Sequence, residues 1–171
     1  VPDLYTAWHA GVSNWKSYSS LNNFSIGIEI NNPGHKHGYK KFSKKQILSL
    51  IKLLRYLFKT YRIKKQIVLG HSDISPTRKK DPGEKFPWNL LNKKKISLWH
   101  NLNEKKCKKL RKKKLTDNKD FYKLLFKFGY QSSNNNKEKI KIYKSFQRRF
   151  RPQLISSIVD QEAYEILKSL I

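Results

Sequence analysis

The chain has 171 residues, and its 38 Lys and Arg against 12 Asp and Glu give a formal net charge of +26. With 37% hydrophobic and 13% aromatic residues it carries enough apolar material for a core, which excludes a wholly disordered basic tail. The length fits one domain, or a domain with a small appended module; no apolar run approaches the roughly 18–20 residues that cross a bilayer, and the single cysteine, Cys107, excludes an internal disulfide framework or a multi-cysteine metal site.

The charge invites a polyanion partner, but its make-up argues otherwise. Of the basic residues 31 are Lys and 7 Arg, while Asn (13) and Ile (15) are abundant and Ala (3) is scarce, the bias that an AT-rich genome imposes. Arg supplies the bidentate contacts to phosphates and bases, so no specific nucleic-acid binding is expected. The excess is also uneven: residues 1–92 carry +11, residues 93–114 carry +10 and residues 115–171 carry +5. The middle stretch reads as a solvated basic connection with a short helix around residues 98–102.

In chain order, residues 24–30 (FSIGIEI) alternate, placing Phe24, Ile26, Ile28 and Ile30 on one face of a predicted strand and Glu29 on the other. Ser43 then opens a helix with Gln46 at the capping-box position; Ile47, Leu50, Ile51, Leu54, Leu57 and Phe58 recur at helical spacing up to about Tyr61. Residues 66–70 (QIVLG) read as a buried strand ending at His71. A strand, helix, strand order points to an α/β layer fold with a site at one edge or face of the sheet. From His71 to Trp88 the sequence has no period, and a loop of that length is usually functional. Beyond residue 115 three amphipathic helices are expected, at 120–128, 138–150 and 160–171, enough for a minimal bundle.

Chemistry gathers around the loop. His71 and Asp81 are both good Zn²⁺ donors, and Lys79 adds a cation beside them. On spacing alone the pair reads more readily as a strand-end histidine and the first residue of an Asp-Pro-Gly turn. Glu29, a carboxylate on a neighbouring strand, could serve as a general base toward water activated by a metal there.

Three segments in order, AWHAGVSNW (7–15), LNNFSIGIEI (21–30) and GHSDISPTRKKDPGEKFPW (70–88), resemble the signatures of the zinc-dependent N-acetylmuramoyl-L-alanine amidases of the AmpD and AmiD type. The C-terminal stretch 146–170, which opens with FQRRFRP and closes with ILKSL, is similar to the peptidoglycan-binding module of the AmiD branch. The resemblance implies an α/β amidase domain, a mixed β-sheet flanked by helices, over 1–92. The basic connection at 93–114 comes next, and then a three-helix, peptidoglycan-binding-like bundle over 115–171. It implies His71 and Asp81 as zinc ligands, Glu29 as the catalytic carboxylate and Lys79 as the cation that stabilises the oxyanion. Trp8, His9, Asn22 and Arg78 are then residues of the substrate cleft. The reaction implied is hydrolysis, by zinc-activated water, of the amide between the lactyl group of N-acetylmuramic acid and the L-alanine of the stem peptide.

The family's first zinc ligand is a histidine on an early strand that has no counterpart after Val1, and the sequence contains no Met. The third ligand is therefore expected upstream of Val1, with this chain a piece of a longer precursor. The expected partners are peptidoglycan or muropeptides, with peripheral association to an anionic envelope. A monomer, or a chain paired with its own N-terminal segment, is expected in the bacterial periplasm or at the outer membrane, the cytoplasm being the alternative. The competing reading is a peptidoglycan-binding protein with an incomplete metal site and no turnover, and behind it stands a basic nucleic-acid-binding protein resting on residues 93–114.

Overall fold

The computed structural model describes residues 5–171. The sheet among these residues is a two-stranded hairpin, β1 (Asn14–Trp15) and β2 (Tyr18–Ser19), antiparallel with Asn14 opposite Ser19 and Trp15 opposite Tyr18. The hairpin is too short to stand alone, and its support comes from the far end of the chain. Lys16 donates its backbone N–H to the Gly129 carbonyl (2.8 Å), and Trp15 packs edge-on against Tyr130 with ring centroids 5.1 Å apart. Gly129 is needed there twice over: its φ is +146°, and a Cβ would sit 2.6 Å from the Trp15 ring.

The expected first helix is present as α1 (Lys44–Tyr61). Ser43 Oγ accepts the Gln46 amide (3.2 Å) and Gln46 Oε1 accepts the Ser43 amide (2.9 Å), the reciprocal pair the capping box requires. Its buried face, Ile47, Leu50, Ile51 and Leu54, packs with Phe86, Trp88, Leu91 and Ile96 into one apolar cluster. The short helix α2 (His71–Ile74) comes next, then α3 (Trp88–Lys93), α4 (Glu104–Leu110), α5 (Lys119–Phe128), α6 (Asn136–Phe150) and α7 (Gln161–Lys168). The last three agree with the expected bundle. They form a second cluster around Phe121, Tyr143, Phe146, Phe150 and Ile166, which also takes in Ala10, Trp15 and Leu21 from the beginning of the chain.

Three sequence expectations need correction. Residues 24–30 carry no regular secondary structure, and only Ile28 and Ile30 reach the α1 cluster, while Phe24 and Ile26 are exposed. Residues 66–70 are likewise not a strand: Lys65–Ile67 is a single 3-10 turn, and His71 opens a helix instead of ending a strand. Alternation reports which face an extended segment would bury, but a strand also needs a hydrogen-bonded neighbour, and among the described residues neither segment has one. In the basic connection the helix lies at α4, not at 98–102. Asn103 caps it by accepting the Lys105 amide (2.8 Å), and Glu104 in its first turn with lysines in its last suits the helix dipole. The connection is also less solvated than its charge suggests, since Ile96, Ser97 and Cys107 are buried in it.

A buried ionic network ties α4 to α7. Arg151, fully buried, pairs with Asp160 and Glu162 and donates to the Tyr143 hydroxyl (3.1 Å). Arg111 bonds Glu162 through two nitrogens (2.6 and 2.8 Å). Among the described residues no helix is long and apolar enough to cross a membrane.

Candidate active site

The site is built on α2 and the turns after it. Gly70 precedes the helix with its N–H bonded to Asp73 Oδ2 (2.7 Å), so Asp73 caps the turn from its third position. A Cβ on Gly70 would lie 2.7 Å from Pro82 Cδ, so glycine lets the chain carrying Asp81 and Pro82 close over the start of the helix. There the Ser72 amide donates to the Asp81 carbonyl (2.8 Å). The result brings His71 and Asp81 together, with Nδ1 and Oδ2 3.1 Å apart.

The other side of the imidazole is also held. His71 Nε2 lies 3.1 Å from the Ala10 carbonyl, and Arg78 Nη2 donates to the same oxygen (2.9 Å) and to the Val12 carbonyl (3.0 Å). Ser75 Oγ donates to Val12 O as well (2.8 Å). Asn22, buried, accepts the backbone amides of His9 (3.1 Å) and Ala10 (2.7 Å), fixing the same loop from beneath. His9 is bonded at both ring nitrogens, to Ala7 O (2.8 Å) and Ser25 Oγ (2.9 Å). Trp8 projects outward, 89% exposed.

Lys79 is half-buried and its charge acts on Asp81. Burial raises the Asp81 carboxyl, but the His71 hydrogen bond, its own backbone amide and Lys79 outweigh that and leave it below its ordinary value. Glu29 is exposed and bonded to neither His71 nor Asp81. The Asp-Pro-Gly turn is braced from outside: Tyr39 donates its hydroxyl to Pro82 O (2.6 Å) and accepts the Lys85 amide (2.9 Å), and burial pushes its pKa up to about 12.

The zinc ion of the resemblance can be tested against these donors. Both neighbours of the ring are acceptors: Ala10 O takes the Nε2–H, and Nδ1 meets the Asp81 carboxylate. Two electron-rich atoms at 3.1 Å call for a proton or a cation between them. Bonds of about 2.0–2.2 Å at a tetrahedral angle would place neighbouring zinc donors about 3.3 Å apart, close to what is seen. The pair fits two positions of such a site; among the described residues no group of three His, Cys, Asp or Glu side chains converges on one point.

Sequence reasoning missed the residues behind the turn. Asp73 is fully buried, ion-paired to Arg149 of α6 and accepting the Tyr130 hydroxyl at 2.5 Å. An aspartate three residues after Gly70 was a visible capping signal, but its partners lie 57 and 76 positions away.

Comparison with known proteins identifies the family and the fold. The family model described as N-acetylmuramoyl-L-alanine amidase matches residues 1–84. The amidase AmiD of Escherichia coli K12 is 33% identical over 180 residues, covering the whole chain and 65% of AmiD. The 1,6-anhydro-N-acetylmuramyl-L-alanine amidase AmpD of Haemophilus influenzae is 43% identical over 83 residues, 48% of this chain and 43% of that one. The chain thus spans just under two thirds of AmiD and less than half of AmpD. Among solved structures, E. coli AmiD in complex with anhydro-N-acetylmuramic acid-L-Ala-D-gamma-Glu-L-Lys superposes with a TM-score of 0.87 at 32% identity, covering 99% of this chain and 70% of that one. AmpDh3 of Pseudomonas aeruginosa in complex with anhydromuramic pentapeptide gives 0.86 at 30% identity, with the same coverage. The expected amidase architecture with helices after it is therefore the one this chain adopts, and the chain belongs to the N-acetylmuramoyl-L-alanine amidase family of the AmpD and AmiD type.

Proposed function

We propose that the chain is the working unit of a peptidoglycan amidase that hydrolyses the bond between the lactyl group of N-acetylmuramic acid and the L-alanine of the stem peptide. The observation that carries this reading is the convergence of His71 Nδ1 and Asp81 Oδ2 at 3.1 Å, on a turn where Lys79 adds positive charge. Support comes from neighbours of the same fold solved with anhydromuropeptides.

In this reading His71 and Asp81 hold Zn²⁺ together with a donor from outside the described residues. Zinc, when bound, supplies the Lewis acidity that makes water nucleophilic near neutral pH. Glu29, exposed to solvent, takes the proton of the attacking water and passes it to the leaving amine of L-alanine. Lys79 stabilises the negative charge that develops on the carbonyl oxygen. Trp8 and His9 border the cleft, and Arg78 and Asn22 hold the loop that shapes it. The α5–α7 bundle binds peptidoglycan, and the lysines of 93–114 favour an anionic envelope, both suited to work in the periplasm.

The test is incubation of the zinc-loaded protein with anhydro-N-acetylmuramic acid-L-Ala-D-gamma-Glu-L-Lys, with the released peptide detected by mass spectrometry. Glu29→Ala should keep its zinc and lose turnover; undiminished turnover by that variant overturns the assignment. Stoichiometric binding without peptide release would instead make the protein a peptidoglycan-binding protein.

A further inference from the structure

We propose that Arg149 is a positioning residue for His71, so that the C-terminal helices belong to the scaffold of the active site as well as to any wall-binding surface. The kinetic part of this proposal rests on the amidase reading above; the structural part does not. A helix of a single turn, such as α2, does not persist by itself, because the first turn fixes several residues for one hydrogen bond. Something outside must hold it: the Ala10–Val12 loop and the Asp81 carbonyl do so on one side, and the last third of the chain on the other.

Arg149 Nη1 pairs with Asp73 Oδ2, and Nη2 donates to the Val68 carbonyl (2.8 Å), so one guanidinium clamps the backbone before His71 and the side chain after it. The same guanidinium lies over the Trp88 ring, 4.3 Å from its centroid, a cation–π contact that adds to its hold. Ser145, one turn earlier on α6, donates to the carbonyl of Ser72, the residue next to His71 (2.5 Å). Tyr130 fills the remaining side of Asp73 through Oδ1 (2.5 Å). Burial first, and then the Asp73 charge, hold its hydroxyl pKa well above the ordinary 10, so it remains a donor. His71 is thus flanked on both sides by residues anchored to α6 or its approach. The face of the imidazole toward Asp81 is set by where that anchor holds the turn.

A purely structural role predicts that any comparable loss of stability loosens the site equally, and a positioning role predicts a local effect. The variants are Arg149→Lys, which keeps the charge but not the fork, Ser145→Ala, which removes one hydrogen bond to the turn, and Arg111→Met. The last cuts a half-buried arginine's pair with buried Glu162, among the C-terminal helices but away from residues 68–73. The readouts are hydrogen exchange of the Ser72, Asp73 and Ser75 amides, zinc affinity by chelator competition, and thermal midpoint. Arg149→Lys and Ser145→Ala should speed exchange in the turn about tenfold and weaken zinc binding by about 10- to 100-fold, the scale of lost support behind a metal ligand. Arg111→Met should lower the midpoint while leaving both readouts at the parental value. Changes that merely track the midpoint across all three variants overturn the proposal. If Arg149→Lys does not fold, Ser145→Ala against Arg111→Met decides the matter. If the parent protein binds no zinc, the amidase reading fails while the exchange arm still decides the positioning role.

Discussion

His71 Nε2 lies 3.1 Å from the carbonyl oxygen of Ala10, 61 positions earlier in the chain, and this contact holds Nε2 as the donor when Nδ1 takes a metal. In a zinc-bound form the donating Nε2–H leaves Nδ1 to ligate beside Asp81, whereas without metal Nδ1 donates to the Asp81 carboxylate. Nitrogen-15 NMR of the zinc-loaded protein should therefore report a protonated Nε2 and a metal-shifted Nδ1 resonance. His71→Ala and Asp81→Ala should each abolish zinc retention on dialysis with little change in far-UV circular dichroism, since the fold rests on clusters that include neither residue. Zinc retained at the parental level by both variants would put the metal elsewhere.

Asn22 is the keystone of the loop that presents Ala10. Replacing it with Leu leaves the Ala10 amide without an acceptor and the His9 amide with only the Ala7 carbonyl, a loss of about 1–3 kcal/mol by the usual cost of a buried unmet hydrogen bond. Urea denaturation should register that loss, and amidase turnover should fall with it because the Ala10 carbonyl orients His71. Asn22→Asp, which keeps an acceptor, should recover most of the stability.

The capping box on α1 offers a contrast. Ser43→Ala removes one of two reciprocal bonds at an exposed helix start and should cost about 1 kcal/mol. Turnover measured well below the melting temperature should remain at the parental rate, because α1 supplies core and no side chain of the site.

Acid should find the α4–α7 network. Burial raises the Glu162 carboxyl, but hydrogen bonds and charges from Arg111 and Arg151 outweigh it and hold the pKa below the ordinary 4.5. A folded value below the unfolded one means a contribution that is complete above about pH 4.5 and lost as pH falls through the lower, folded value. The thermal midpoint should therefore drop below pH 4.5, and Arg111→Met should make that drop shallower. An equal acid dependence in both proteins would show that Glu162 does not carry it.

The parts of the molecule legible in the sequence are those whose causes are local. α1 could be read because Ser43, Gln46 and the apolar residues after them lie within one helix, and α5 to α7 because their apolar spacing is regular. His71 and Asp81 were recognisable through motif resemblance, ten residues apart. Glu29 stands out as a carboxylate among apolar neighbours, but the strand assigned to it is not paired among the described residues, since alternation says nothing about a partner. The α4 helix carried its own signal in Asn103 and Glu104 and was obscured by the lysines around it. What could not be read is long-range: Asp73 with Arg149, Ser72 with Ser145 and Trp15 with Gly129 meet only after the chain has folded.

Trp99 lies against both apolar clusters, the one under α1 and the one within the C-terminal helices. Its indole is therefore a shared wall: melting either cluster strips part of its packing. The two halves of the protein should lose structure in a single cooperative step, and a fluorescence signal from Trp99 should coincide with that step whichever cluster a mutation weakens. A polypeptide whose charge divides it into three segments would then behave, on heating, as one body.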